Sequence, residues 1–143
     1  MKRVAVTVMT LFSLGLMGSG DIINEQYQVH KVHSIARQGS IRESLACNEI
    51  KKQDLYAMDV FCNTPLLYAS FFSNIENIRY LVDQGVDINH RNKLSMTAIY
   101  VAVKYDKQES MIVLTELGAY TNDVRRITSN HQQEIIDAIT LCK

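Results

Sequence analysis

A spacing of 33 residues runs through this chain: Thr64-Pro65-Leu66-Leu67-Tyr68-Ala69 corresponds position for position to Thr97-Ala98-Ile99-Tyr100-Val101-Ala102, and Gly85 to Gly118. A fixed period of this size marks stacked supersecondary units, each too small to bury its own apolar face. Stability then comes from neighbouring units and function lies on the surface of the stack, which predicts a module that binds another protein.

Each unit reads as a pair of helices. Thr64 is placed to accept a bond from the free N–H groups of a helix start, and Pro65 at the first helical position loses no needed donor. Leu66 with Ala69, and Ile99 with Ala102, set a small residue where neighbouring helices approach closely. Ile75, Ile78, Leu81 and Val82 recur as the apolar face of a second helix, echoed by Met111 and Leu114. Gly85 and Gly118 follow these second helices, where a left-handed terminating residue costs least as glycine.

The chain resembles the ankyrin repeat family. Asp59, Thr64-Pro65-Leu66, Ala69, Glu76, Ile78, Leu81, Gly85, Asp87 and Asn89 match that family's pattern without a gap. A second copy keeps Thr97, Ala102, Glu109, Leu114, Gly118, Ala119 and Asn122. The resemblance implies an all-α, ankyrin-like solenoid of about three helix-pair repeats with a C-terminal capping helix. The units are a degenerate first repeat over about 29–58, repeats over 59–91 and 92–124, and a cap over 125–143. In the first of these, Ala36 precedes Ala69 by the same 33 residues. In the cap, Thr128-Ser129-Asn130 precede an apolar stripe of Ile135, Ile136, Ile139 and Cys142. Three departures stand out. Leu67 and Tyr100 replace the histidine that ties neighbouring turns in the family, so that network is not carried over. Cys62 and Ser95 replace the loop glycine before Thr, and Ser73 and Asp106 replace the glycine between the helices.

Residues 1–20 have another character. Lys2 and Arg3 precede the mainly apolar run Val4 to Met17, and Gly18-Ser19-Gly20 close it. That order is the pattern of a secretory signal peptide, with cleavage expected after Gly20, and the run is short of the roughly 18 apolar residues of a spanning helix. The expected mature domain, 21–143, is periplasmic or secreted, with no membrane attachment, and monomeric alone. Removing Lys2 and Arg3 from a chain with 15 basic and 15 acidic side chains leaves a slightly acidic protein, which recommends neither nucleic acid nor an anionic membrane as partner. In an oxidising compartment Cys47 and Cys62 are candidates for a disulfide, which on the chain-entropy model contributes about 3 kcal/mol for a loop of about 15 residues. The alternative makes Cys47 a small core residue and Cys62 a stand-in for glycine.

Catalytic signatures are weak. His30 and His33 share a helical spacing that some metal sites use, but no third ligand follows suggestively, and capping residues explain them as well. His131 falls on the polar side of the last helix. No nucleophile elbow, phosphate-cradling glycine loop or paired Cys-x-x-Cys occurs in the sequence. The chain is read as a non-enzyme with no cofactor, no metal and no catalytic residue.

The ankyrin resemblance places binding surfaces on the loop tips and on the exposed side of each first helix. By position these are Tyr56, Met58, Val60 and Phe61 at one tip, and His90, Arg91, Lys93 and Leu94 at the next. Along the first helices they are Tyr68, Phe71, Phe72, Lys104 and Tyr105, with Val101 aligned among them. Aromatic groups favour docking because they bury much area with little entropy lost. Tyr56, Met58 and Phe61 are equally compatible with a satellite core under the first unit. By analogy with small exported ankyrin proteins, the expected function is an immunity or inhibitor protein that neutralises a toxin or effector enzyme. The alternatives are a periplasmic chaperone of an enzyme, a secreted effector acting on a host protein, or a hydrolase built around His30 and His33.

Overall fold

The computed structural model describes residues 19–122, 124–125, 127 and 129–141. Most of the expected export leader, and Thr128 and Cys142 of the expected cap, lie outside the described residues. The described chain is helical, with no strand: α1 (Ser19–Gln38), α2 (Ile41–Ala46), a 3₁₀ turn (Lys52–Tyr56), α3 (Pro65–Phe71), α4 (Ile75–Asp83), α5 (Ala98–Lys104), α6 (Gln108–Glu116) and α7 (Asn130–Leu141). The first helix begins upstream of Val29, where the sequence predicts the first unit. No helix among the described residues is long and apolar enough to cross a membrane.

The helices form two layers. In one, α3 packs between α1 and α5; in the other, α4 packs between α2 and α6, and α7 closes the end against α6. Ala36, Ala69 and Ala102 are all fully buried, so a methyl group stands wherever the first helices cross, which is the spacer role their 33-residue spacing predicts. Val32, Leu66, Ile99, Ile78, Leu81, Met111 and Leu114 fill the space between layers, and Ile136 seals the C-terminal end. Leu55 is fully buried beneath the first unit.

Helix starts differ in a way the sequence did not reveal. Thr97 caps α5 by accepting from the Tyr100 N–H at 3.3 Å. Thr64 does not do the same for α3: the Leu67 N–H that would reach its hydroxyl goes to the Thr64 carbonyl at 3.1 Å, and Thr64 Oγ1 is buried without a partner. Pro65 at the first position leaves α3 one fewer donor to satisfy.

The interhelix and loop glycines missing from the sequence are missing in identity only. Cys62, Ser73, Ser95 and Asp106 all adopt left-handed backbone, φ between 52° and 59°, and Gly85 and Gly118 take φ 87° and 91°. A side chain with a Cβ in this region carries strain of about 1–2 kcal/mol.

Unit-to-unit attachment comes from buried polar side chains. Asn77 on α4, 1% exposed, accepts from Ile41 N–H at 3.0 Å through Oδ1 and shares its Nδ2 among the carbonyls of Ile35 (3.2 Å), Ala36 (3.3 Å) and Gly39 (2.9 Å). It thereby ends α1 and starts α2 at once. One period later Ser110 Oγ, fully buried on α6, donates to the Ser70 carbonyl near the end of α3 at 2.8 Å. Gln132 on α7 does the same for α5, with Nε2 3.4 Å from the Val103 carbonyl and 3.0 Å from Asp106 Oδ1.

Removing such a side chain takes a buried hydrogen bond from carbonyls that keep only local turn partners, such as Ser73 N–H on Ser70 at 3.4 Å and Asp106 N–H on Val103 at 3.2 Å, at about 1–3 kcal/mol each site. Asn77→Ala is therefore expected to destabilise the fold by about 3 kcal/mol in denaturant melts, and Ser110→Ala by about 1–2 kcal/mol. Replacing the strained exposed serine has the opposite sign: Ser95→Gly is expected to stabilise by about 0.5–1 kcal/mol, read as a rise in Tm of a few degrees.

Candidate protein-binding surface

The loop tips are built by short acidic and amide side chains that fold the backbone onto themselves. Asp59 Oδ1 accepts from the N–H groups of Phe61 and Asn63 at 2.8 and 2.9 Å, and its Oδ2 accepts from Asn63 Nδ2 at 2.9 Å and from Tyr68 Oη at 2.8 Å. One period on, Asn92 Oδ1 accepts from Leu94 and Met96 N–H, both at 2.9 Å. The two tips are stitched together. Asn92 Nδ2 donates to Asn63 Oδ1 (2.8 Å), Lys93 Nζ to the Val60 carbonyl (2.7 Å), and His90 Nε2 to the Cys62 carbonyl (2.9 Å). These bonds replace the histidine network that Leu67 and Tyr100 lack.

Stiffened in this way, the tips hold apolar groups in solvent. Tyr56, Met58, Val60 and Phe61 are each about half exposed (50–57%) and Leu94 is 69% exposed. The satellite-core reading of Tyr56, Met58 and Phe61 does not describe them; Leu55 is the residue that turns inward, while Tyr56 is tethered through its hydroxyl to the Gln84 carbonyl at 2.8 Å. His90 and Lys93, expected as contact residues, are tied up in stitching the tips. Arg91 is exposed and bonds the Ser95 carbonyl at 3.2 Å.

Between the tips and the ends of α3 and α5 lies a groove of about 330 Å³. Leu67 and Val101 form its floor, and Phe71, Phe72 and Tyr105 stand in it, the Phe71 ring meeting both others edge-on at 4.9 Å between centroids. Phe72 and Tyr105 are 39% and 46% exposed. Cations cover the rings: Arg37 lies 4.4 Å from the Phe72 centroid, Lys107 5.3 Å from Phe71 and Lys104 5.5 Å from Tyr105. Tyr68, Phe71, Phe72 and Tyr105, picked out in the sequence, are thus brought together, and the exposed Lys104 joins them. Arg37 and Lys107 were not singled out. Position alone could have shown Arg37, one helical turn after His33, but the uncertain register of the first unit hid it.

His30 and His33 do not converge. His30 is exposed, whereas His33 is 5% exposed, turned inward against Tyr68 with ring centroids 4.7 Å apart, and its Nε2 has no partner. Among the described residues no three His, Cys, Asp or Glu side chains gather as a metal site would require. The candidate disulfide between Cys47 and Cys62 is not formed, and Cys47 is not a core residue either: both are free thiols, Cys47 exposed at the end of α2 and Cys62 half-buried at the tip, where it takes the glycine's left-handed backbone.

Burial lowers the His33 imidazole below its ordinary 6.5, and the pull of the Asp59 carboxylate and of nearby backbone groups offsets only part of that. For Asp59 burial works upward, but the bonds from Asn63, Tyr68 and Phe61 outweigh it and hold the carboxyl below 3.8. Burial, then the bond to Asp59, pushes the Tyr68 phenol up to about 12, so it stays a donor.

Against known proteins, the family model for ankyrin repeats, in three copies, matches residues 32–125. The chain belongs to the ankyrin repeat family, a class of modules that bind other proteins and are typically non-enzymatic. It is also similar, at 35% identity over 86 residues, to the human transient receptor potential cation channel subfamily A member 1; that stretch is 60% of this chain and only 8% of the channel.

The His33 shift has a defined sign. The folded state holds the ring neutral while the unfolded chain protonates it near 6.5, so its contribution is complete above that pH and is lost as pH falls below it. Asp59 acts in a separate, lower window, losing its contribution below 3.8. Thermal melts are expected to show a flat Tm above about pH 7 and a decline toward pH 5. His33→Phe, which keeps a ring against Tyr68, should flatten that decline.

Proposed function

We propose that this chain is an exported binding protein that acts by stoichiometric capture, masking the working surface of a toxin or effector enzyme in the periplasm as an immunity protein does. The observation that carries the reading is the exposed aromatic groove between α3 and α5, continued by the apolar tips around Phe61 and Leu94. Exposed aromatic rings on stiff elements are the kind of group that dominates binding energy at interfaces. The basic and apolar pattern of residues 1–17 supports export.

Affinity capture from periplasmic extract tests this directly. The protein is expected in the periplasmic fraction, bringing down one partner in one-to-one ratio whose toxic or enzymatic activity falls on binding. A partner whose activity or half-life rises instead would make the protein a chaperone. Phe72→Ala combined with Tyr105→Ala should weaken that capture about 100-fold, as loss of two central aromatic anchors does, while leaving Tm nearly unchanged. A large drop in Tm for the double variant would assign the rings to structure and remove the groove from the binding surface.

A further inference from the structure

The groove is more than exposed rings, because three cations lie over them without a salt bridge among the described residues. The Arg37 guanidinium lies over the Phe72 ring, its carbon 4.4 Å from the centroid, and none of its five N–H donors is used up by a contact with the ring's π face alone. Lys104 and Lys107 flank the other two rings. Among the described residues, none of these three cations is in a salt bridge; the ion pair Arg79–Glu116 lies on the second-helix layer. The nearby acids point their bonds elsewhere and form no ion pair with these cations. Asp59 is saturated by Phe61, Asn63 and Tyr68, and Asp106, next to Tyr105, accepts from Gln132. What remains is an apolar slot whose rim carries three cations that, among the described residues, make no ion pair.

The slot's size narrows the occupant further. About 330 Å³ over Leu67 and Val101 accommodates one large side chain and part of its backbone, not a helix laid lengthwise. Edge-to-face rings accept another aromatic or a branched aliphatic side chain at low entropic cost. Cations at the rim then select the residues beside that anchor, attracting acids and repelling bases, with an effect on association rate that fades with salt.

We propose that this groove takes an acidic segment of a partner protein, anchored by one large apolar side chain seated among Phe71, Phe72 and Tyr105 and flanked by carboxylates that meet Arg37 and Lys104. The inference rests on the protein-binding reading above and names the chemistry of the partner. A single-stranded nucleic acid could also stack on rings beside cations, but the 15 basic and 15 acidic side chains of the whole chain supply no wider basic track for a phosphate backbone.

The test is a selection of random displayed peptides against the full chain, with removal of those that also bind the Phe72→Ala/Tyr105→Ala variant. Enriched peptides are expected to be net acidic around a Phe, Tyr, Leu or Trp. A synthetic peptide of the enriched sequence should weaken about tenfold on Lys104→Glu, more on Arg37→Glu with Lys104→Glu, and about tenfold between low and physiological ionic strength. Lys104 is exposed, so its variant keeps the test valid if the double variant fails to fold. Enrichment of neutral or basic peptides, no enrichment at all, indifference to Lys104→Glu, or tighter binding of oligothymidylate than of any peptide would each overturn the proposal. Failure here is distinguishable from failure of the broader reading. A captured partner lost on Phe61→Ser with Met58→Ser, but not on the groove variants, would leave a binding protein that works through its tips.

Discussion

The stack depends on one kind of bond, a buried polar side chain from a later helix (α4, α6 or α7) that bonds a carbonyl near the end of the first helix of the unit before it. Short helices make this necessary. With seven residues in α3 and in α5, most of the backbone lies within a turn of an end, and the carbonyls at those ends have no partner inside the helix. Apolar packing could hold the layers together at many registers, since Ala, Leu, Ile and Val faces slide without large penalty. A buried amide or hydroxyl fixes one register, because any slip leaves a carbonyl desolvated and unpaired. Asn77, Ser110 and Gln132 thus convert a greasy contact into a specific one.

The same logic operates at the other end of the units. Asp59 and Asn92 gather the backbone of each tip, and the bonds between tips make them one ribbon, although the ankyrin histidine is absent. Rigid tips and a groove lined by locked rings lower the ordering cost of binding, which is where much affinity is otherwise lost. His33 and Tyr68 join this ribbon to α1, so the groove is braced from beneath as well as from its rim.

Much of this was legible in the sequence. The period placed Pro65, Ala69, Ala102, Gly85 and Gly118 correctly, because helix starts, crossings and left-handed ends each demand a residue type that can be recognised in isolation. Phe72 and Tyr105 were readable as surface because the ankyrin pattern is polar between its helices, whereas Phe71, read the same way, is half-buried between them. What the sequence concealed depends on pairs rather than single residues. Asn77 looks like an ordinary polar residue between Glu76 and Ile78 until Gly39 and Ile41 are placed beside it. Thr64 matches the capping pattern as well as Thr97 does, yet only Thr97 caps with its side chain, a choice made by the competing carbonyl and not by the motif. Cys62 and Ser95 sit where glycine is expected and accept the left-handed backbone because the turn around Asp59 and Asn92 fixes it from both sides.

The side-chain bonds on the carbonyls that end the first helices all come from later in the chain. Ala36 waits for Asn77, 41 residues later, Ser70 for Ser110, 40 later, and Val103 for Gln132, 29 later. Each unit makes its own turn bonds, but its buried carbonyls gain their side-chain partner only from the next helix pair or from α7. A chain emerging N-terminus first, from a ribosome or through a membrane pore, therefore keeps its leading segment unfinished until the following one has appeared. Native order is locked in retrospect, each arrival completing its predecessor, and α7 serves as the last fastener.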